Sequence, residues 1–293
     1  MEARTCAPAR TPGAGSGEIA VSHASVGMYD RDGKPLRLVE DCSFRAERGL
    51  FTVLIGPSGC GKTTLMNLIA GYIGADRGAV KLDGVDVKGP GWDRLMVFQE
   101  TALFPWMTTL ENVAYGPMVR GIKTMPQIRA EAGALLERFG LGEFKNRYPR
   151  ELSGGMQRRG ELARALINDP LVLLMDEPFR GLDAMTRQLM QEYLTHLFEE
   201  TRTTTIFVTS EIDEAIFLAD RLVVLSRAPA RVAAVIEVDL PRPRRFEQLS
   251  SARYAALKEE ALNLLYAEAA AAFAETGAGA DIKEAFEKRH AAD

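Results

Sequence analysis

The chain has 293 residues, of which 46% are hydrophobic and 26% charged, and its formal net charge is -4. A chain of this length can bury a full core, in one large domain or two smaller ones. The charge balance excludes bulk electrostatic binding of nucleic acid, and apolar runs such as 171–175 fall far short of the roughly 20 residues that span a bilayer.

The first 16 residues have no apolar core of the kind that a signal peptide needs, so we predict a disordered leader. Cys6 lies in this leader. Together with Cys42 and Cys60 it shows no metal-ligand spacing. We interpret the three cysteines as small packing or solvated residues of a protein from a reducing compartment.

The next 80 residues or so contain the signals of several strands. Residues 17–50 alternate in short segments broken by turn residues, which predicts antiparallel strands. Residues 51–55 form an apolar run followed by a glycine-rich turn and a helix, for which Gly71 is the expected stop. In "VKLDGVDV", residues 80–87, Asp-Gly between two β-prone pairs predicts a hairpin.

The middle of the chain combines helical patterns with buried strands. From Thr109 to about Ala165 the apolar spacing is helical, which predicts a helical subdomain at about residues 100–165. The continuous apolar runs at 171–175 and 204–209 are typical of parallel strands covered on both faces. Strands that alternate with helices predict an α/β fold.

Composition shifts near residue 240, and we treat residues 241–293 as a C-terminal appendage. "LPRPRR", from Leu240, predicts a stiff basic linker. A helix follows with one apolar stripe, made of Tyr254, Leu257, Ala261 and Leu264. Gly277 would end this helix, and Asp281 with Glu284 would begin a short final one. We expect the appendage to pack on the main domain or on a second copy.

A phosphate-binding motif follows the strand at 51–55. "GPSGCGKT" fits G-x-x-x-x-G-K-[ST] in a strand–turn–helix context, where backbone N–H groups and the helix N-terminus surround phosphate oxygens. Lys62 should reach the outer phosphates and the Thr63 hydroxyl should bind Mg²⁺. The predicted nucleotide contacts are Gly56, Pro57, Ser58, Gly59, Cys60, Gly61, Lys62, Thr63 and Thr64.

Two adjacent carboxylates end the strand at 171–176, the edge at which open α/β sheets bind ligands. Asp176 would hold Mg²⁺ through its water shell, and Glu177 would orient and polarise the attacking water. The alternative is a helix cap, which would account for only one of the two carboxylates.

Between these motifs lies "LSGGMQRR", residues 152–159. With the phosphate loop and the carboxylate pair, in this order and spacing, residues 17–240 resemble the ATP-binding subunits of ABC transporters. The resemblance implies a P-loop NTPase core of the RecA-like α/β type, an antiparallel β subdomain and a helical subdomain. It implies ATP and Mg²⁺ as ligands.

By this resemblance Tyr29 stacks on adenine, a role that suits an aromatic face. Its alternative is a loop aromatic packed for its apolar area. Gln99, in "MVFQE", corresponds to the glutamine that touches Mg²⁺ and senses the membrane partner.

The resemblance also implies that two copies share each ATP. Ser153, Gly154 and Gly155 would cap the γ-phosphate held by the other copy, with N–H groups at a helix start. Asp183, in "RGLD", would link the two sites. The partner would be an identical chain or another ABC subunit.

A finer resemblance is to importers of nitrate, sulfonates and taurine, based on "ALFPWMTTLENVAYGP", "YPRELSGGM" and "DEAIFLADR". Trp106 could line the groove that receives a helix of the membrane permease. Its alternative is a core tryptophan. The resemblance implies a peripheral ATPase at the cytoplasmic face of the inner membrane, which meets a solute-binding protein only indirectly.

The sequence departs from the family at several positions. Ser210 stands where a histidine is usual and Glu211 where an aspartate is common, Arg180 replaces a small residue, and Gly160 and Glu161 lie in the predicted signature helix. Serine has no useful pKa near neutrality, so we expect slower hydrolysis, unless its hydroxyl holds a water in the same place.

The departures leave a competing interpretation open, a subunit that closes on ATP and hydrolyses little. A soluble ABC protein of DNA repair or translation is disfavoured by the single nucleotide-binding domain, the lack of a long coiled-coil insertion and the absence of a basic patch.

Overall fold

The computed structural model describes residues 17–275 apart from 30, 31 and 122, and side chains in the last helix as far as residue 268. The predicted leader, with Cys6, lies outside the described residues. So do the predicted stop at Gly277 and the predicted final helix.

A four-stranded antiparallel sheet covers one side of the molecule, in the order β2-β1-β4-β5. Its strands are β1 (Ile19–Tyr29), β2 (Pro35–Ala46), β4 (Arg77–Leu82) and β5 (Val85–Asp86). The predicted hairpin is confirmed, since Leu82 pairs with Val85 across two left-handed residues, Asp83 (φ 49°) and Gly84 (φ 77°). Positive φ at both turn positions is the geometry that Asp-Gly favours.

A six-stranded sheet forms the centre, in the order β10-β9-β3-β8-β7-β6. Its strands are β3 (Phe51–Ile55), β6 (Arg94–Val97), β7 (Val172–Asp176), β8 (Thr204–Thr209), β9 (Arg221–Leu225) and β10 (Val232–Glu237). All neighbours pair in parallel except β10, which runs antiparallel to β9. The α/β architecture is as predicted.

Seven α-helices surround the sheets in the described part of the chain: α1 (Lys62–Ala70), α2 (Thr109–Arg120), α3 (Met125–Arg138), α4 (Gly154–Leu166), α5 (Ala184–Thr201), α6 (Ile212–Leu218) and α7 (Ala252–Glu275). Short 3-10 turns lie at 142–144, 149–151 and 246–250. Helices α2, α3 and α4 pack against one another at the place predicted for a helical subdomain. Gly71 ends α1 as predicted, at φ 82°.

The central strands divide the hydrophobic core into two layers. In β7, Leu173 and Met175 join one buried cluster, with α2 to α7, while Val172 and Leu174 join the other, with α1 and the antiparallel sheet. Alternate side chains of a strand point to opposite faces, so an uninterrupted apolar run is what two covered faces require. None of the described helices has the length and apolarity needed to cross a membrane.

The segment predicted as a stiff basic linker is anchored to the core. The Arg244 side chain is buried and donates to the carbonyl oxygens of Ala219 and Leu240, and Arg242 Nε lies 2.7 Å from Asp220 Oδ1. Burial lowers the pKa of Arg244 to about 10. The guanidinium group of Arg244 thus provides hydrogen bonds to carbonyl oxygens of the main domain, as burial of such a group requires.

Helix α7 follows this anchored segment and packs against α6. Tyr254, Leu257 and Ala261 of the predicted stripe are buried, and Leu264 packs against the same cluster. The Tyr254 hydroxyl donates to Asp213, and Lys258 Nζ lies 2.7 Å from the same carboxylate. The appendage therefore packs on the main domain, one of the two arrangements expected.

Candidate functional site

Four sequence-predicted groups follow strands of the central sheet, each at the carboxyl end. The phosphate loop follows β3, Gln99 follows β6, Asp176 with Glu177 ends β7, and Ser210 follows β8. These strands are parallel, with Ile55 opposite Thr209 and Asp176 opposite Val208. The four groups therefore lie at one edge of the sheet, where ligands of open α/β sheets bind.

Two glycines in the loop from Gly56 to Gly61 have backbone conformations that residues with a side chain rarely adopt. Gly61 lies at φ 114°, and a Cβ there would be 2.6 Å from the carbonyl oxygen of Leu38. Gly59 is also left-handed, at φ 74°. Glycine is the residue that takes such conformations without steric cost. Cys60 is buried, and burial raises the pKa of its thiol, as expected for a packing residue.

Helix α1 begins directly after this loop with an N-terminus suited to an anion. Its N-cap, Gly61, offers no side-chain hydrogen bond, and the first turn contains no acidic residue. The first N–H groups of a helix have no partner inside the helix, so they are available to phosphate oxygens. Lys62, Thr63 and Thr64 open the helix.

The Lys62 side chain lies folded over the loop. It is buried, and its Nζ donates to the carbonyl oxygens of Gly56 at 2.8 Å and Pro57 at 2.9 Å. Its position brings a positive charge to the same loop that presents the N–H groups. Ser58, by contrast, is exposed at the tip of the loop.

Asp176 and Thr63 form the pair expected to bind Mg²⁺. Burial raises the pKa of Asp176, the neighbouring Glu177 charge acts in the same direction, and a hydrogen bond from Thr63 opposes both. Their oxygen atoms suit Mg²⁺, which commonly binds through one or two carboxylates with substrate phosphates and water. The described residues contain no cluster of three or more His, Cys, Asp or Glu that could hold a metal alone. The residues present therefore fit a cation shared with a phosphate ligand.

Glu177 has a strained backbone beside the end of β8. Its φ is 42°, a region that non-glycine residues seldom occupy, and its N–H donates to the carbonyl oxygen of Val208 at 2.9 Å. Its carboxylate lies 3.1 Å from Arg180 Nη1. The helix-cap alternative fails for both carboxylates, because Asp183 is the N-cap of α5.

Ser210 is exposed at the end of β8, before α6 begins at Ile212. The backbone there turns with a hydrogen bond from the Glu211 N–H to the Thr209 hydroxyl at 3.0 Å. The position has room for a larger side chain, so serine is not imposed by packing.

A buried ion pair attaches the segment containing Gln99 to helix α4, and sequence reasoning did not find it. Arg158 donates to the carbonyl oxygens of Phe98 and Gln99, both at 2.8 Å, and contacts Glu161 at 2.6 Å. Glu161 in turn accepts from the N–H of Ala102. The available signal was an Arg and a Glu three residues apart on an otherwise apolar helix face.

The signature residues and Asp183 lie together in the structure. Ser153 is the N-cap of α4, a Cβ on Gly155 would lie 3.0 Å from Thr186, and Asp183 accepts from the Thr186 N–H at 2.9 Å. Gly154 is exposed beside Ser153. Among the described residues of one chain, no hydrogen bond joins this group to the phosphate loop.

The two aromatic residues singled out in the sequence are both exposed. Tyr29 is 78% exposed at the end of β1, and Trp106 is 69% exposed with its ring stacked 5.5 Å from that of Phe104. These values exclude the packed-loop alternative for Tyr29 and the core alternative for Trp106. Both rings are therefore accessible to a ligand or partner.

Comparisons with known proteins agree with this geometry. The profile of the ABC transporter family matches residues 39–180. The chain is similar to a taurine import ATP-binding protein of Rhizobium johnstonii, with 41% identity over 85% of this chain and 96% of that protein. It is also similar to a nitrate import ATP-binding protein of Synechococcus elongatus, with 42% identity over 79% and 86%.

A solved structure gives the same result. A dimeric ATP-binding cassette in a post-hydrolysis state, bound to ADP and phosphate, has a TM-score of 0.67 and 28% identity. The match covers 76% of this chain and 100% of that chain. This chain and the solved cassette thus share a fold over most of the described residues.

Proposed function

Because this chain belongs to the ATP-binding subunits of ABC transporters, which are ATPases coupled to transport, we propose that it energises the import of a small anion. The observation that carries the proposal is the edge of the central sheet. There the phosphate loop, Ser210, the pair Asp176–Glu177 and Gln99 lie at the carboxyl ends of β3, β8, β7 and β6, four strands that are neighbours in the sheet.

The residues divide the chemistry of ATP hydrolysis among themselves. The loop N–H groups and Lys62 bind the phosphates, while Tyr29 offers its exposed face to the adenine. Thr63 and Asp176 would hold Mg²⁺, which neutralises charge on the phosphate oxygens. Glu177 orients the attacking water and accepts its proton.

The exposure of Ser153 and Gly154 at the start of α4 supports a head-to-tail dimer. Ser153, Gly154 and Gly155 at the exposed start of α4 would complete the site of the partner, and Asp183 would couple the two. ATP favours the closed dimer because it has more contacts there, and hydrolysis removes that preference. The partner is a second copy or another ABC subunit.

A membrane permease would receive this change through Gln99 and the helical subdomain. The pair Arg158–Glu161 ties the backbone at Gln99 to α4, so a shift at the nucleotide reaches the helices directly. Trp106, exposed beside these helices, is a suitable anchor for a permease helix. On this proposal the protein binds peripherally at the cytoplasmic face of the inner membrane, and it reaches the solute-binding protein only through the permease.

The names of the relatives support an anion of the nitrate, sulfonate or taurine type as the solute. The second candidate function, a subunit that closes on ATP and hydrolyses little, is favoured by one observation, the serine at position 210 at the end of β8. Both candidates predict ATP binding and closure. They differ in turnover.

The dimer is tested by light scattering on the Glu177→Gln variant, which should bind ATP without cleaving it. We expect ATP with Mg²⁺ to double its mass, and Ser153→Arg to prevent the doubling while binding of ATP persists. A variant that stays monomeric at saturating ATP would contradict a site shared between two copies of this chain.

The permease is tested by purifying tagged protein from membranes of the native cell. We expect a multi-spanning membrane protein to co-purify with the wild type and to be lost with Trp106→Ala. Tyr29→Ala, equally exposed but placed at the nucleotide, is the control that should retain the permease. Equal recovery with both variants would remove Trp106 from the interface.

A further inference from the structure

The structure joins Arg180 to the proposed catalytic carboxylate. Arg180 Nη1 lies 3.1 Å from Glu177 Oε2, in a turn closed by the Arg180 N–H and the Glu177 carbonyl oxygen. Phe179, the residue before it, is buried and anchors this turn to the core. The cation is therefore held beside Glu177 by the fold of the turn itself.

The charges around Glu177 explain why such a cation is useful. Asp176 is its immediate neighbour and carries the same charge, and a bound triphosphate would add several more negative charges. Lys62 lies over the phosphate loop, with its Nζ on two loop carbonyl oxygens. Ser210, at the end of the adjoining strand, brings no charge. Within the part of the chain that the structure describes, Arg180 is the ion-pair partner of Glu177.

The Arg180 side chain also has room to move during a catalytic cycle. The Arg180 side chain is 64% exposed and that of Glu177 only 14%. Because the guanidinium is the exposed member of the pair, it can move toward a phosphate oxygen without leaving a buried position. A guanidinium beside a transferring phosphoryl group stabilises the charge that develops there.

We propose that Arg180 is a positioning residue for ATP hydrolysis, holding the Glu177 carboxylate and supplying the positive charge that Ser210 does not. In this step the water oxygen forms a bond to the γ-phosphorus as the bond to the ADP oxygen breaks. ADP keeps the electron pair, and the proton of the water passes to Glu177. The inference rests on the proposed ATPase function.

The test compares Arg180→Ala, Arg180→Lys and Arg138→Ala in steady-state phosphate release. Arg138 is the matched control, since it is 60% exposed and pairs with Glu200 far along the chain from the site. We expect Arg180→Ala to lower kcat about tenfold or more with an unchanged KM for ATP, Arg180→Lys to recover part of the loss, and Arg138→Ala to match the wild type.

Two further readouts separate positioning from a structural role. Arg180→Ala should weaken binding of ADP with vanadate, which mimics the transition state, and leave binding of a non-hydrolysable ATP analogue unchanged. In a Ser210→His background the loss caused by Arg180→Ala should shrink, because the imidazole adds a hydrogen-bond donor, and in mild acid a positive charge, at the end of β8.

The inference is overturned if Arg180→Ala turns over ATP as fast as the wild type or faster, or if the loss is undiminished in the Ser210→His background. Equal weakening of the analogue and of ADP with vanadate would also overturn it. Wild-type protein with no Glu177-dependent turnover would remove the proposed ATPase as well, whereas normal wild-type turnover with an inert Arg180 removes this inference alone.

Discussion

The buried pair Arg158–Glu161 makes the sharpest prediction about stability. Both side chains are 6% exposed, and they lie 2.6 Å apart. Burial raises the pKa of Glu161 and lowers that of Arg158, as desolvation of two charges requires. Glu161→Ala would leave a buried guanidinium without its carboxylate and the Ala102 N–H without its acceptor.

Breaking a buried pair from one side costs about 3–5 kcal/mol. Arg158 would keep its hydrogen bonds to Phe98 and Gln99, so we expect the lower end, about 3 kcal/mol. With a urea slope of about 3 kcal/mol per molar, the unfolding midpoint falls by about 1 M.

Urea unfolding followed by circular dichroism measures this shift. Glu200→Ala is the control, since it breaks the exposed pair with Arg138 and should cost about 0.2–1 kcal/mol. The double variant Arg158→Met, Glu161→Leu should regain stability over Glu161→Ala, yet lose turnover because the backbone at Gln99 is no longer held. Glu161→Ala that costs no more than Glu200→Ala would refute the reasoning.

Three further changes test other parts of the account. Gly61→Ala, with φ 114° and a Cβ 2.6 Å from a carbonyl oxygen, should weaken binding of an ATP analogue measured by calorimetry, whereas Gly33→Ala, with φ 77° and open space around it, should not. Ser210→His should raise kcat several-fold in phosphate release with unchanged ATP affinity; an unchanged kcat would show that serine is no handicap. Burial, which acts to raise the pKa of Asp213, is outweighed by hydrogen bonds from Lys258 and Tyr254, so this pKa is lowered. The stability that the Asp213 carboxylate contributes is present above the usual Asp pKa and is lost as pH falls through the lowered value. Asp213→Asn should therefore lower the free energy of unfolding at neutral pH and make that free energy fall less in acid. Urea titrations at several pH values will measure both effects.

Local signals in the sequence were sufficient for three strands of the central sheet. The apolar run at 51–55 predicts a strand, the runs at 171–175 and 204–209 predict strands covered on both faces, and each lies in the central sheet. Such runs need no information from elsewhere in the chain, because two covered faces impose the same pattern on every residue.

The arginine contacts required the tertiary structure. Arg244 lies in a segment that resembles a basic linker, and only the carbonyl oxygens of Ala219 and Leu240 explain its burial. Likewise Arg158 binds carbonyl oxygens about 60 residues away along the chain. An arginine whose hydrogen-bond acceptors lie this far away along the chain has the same local sequence pattern as an arginine exposed to solvent.

The arrangement of the site could be predicted from the sequence only in part. The motifs identify the groups, but topology decides which strands lie side by side. The neighbouring β8 and β7 are followed directly by Ser210 and Glu177, and the Glu177 N–H donates to Val208 of β8. The contact of Arg180 with Glu177 depends on a strained turn, in which Glu177 has a φ of 42°. The sequence of residues 176–181 does not predict this conformation.

The central claim is that Glu177 drives cleavage of ATP held by the phosphate loop. Steady-state phosphate release by wild type and Glu177→Gln, with binding of ATP measured in parallel, tests it most directly. The account predicts that both proteins bind ATP with similar affinity and that only the wild type releases phosphate above background. Equal release by the two proteins would contradict it.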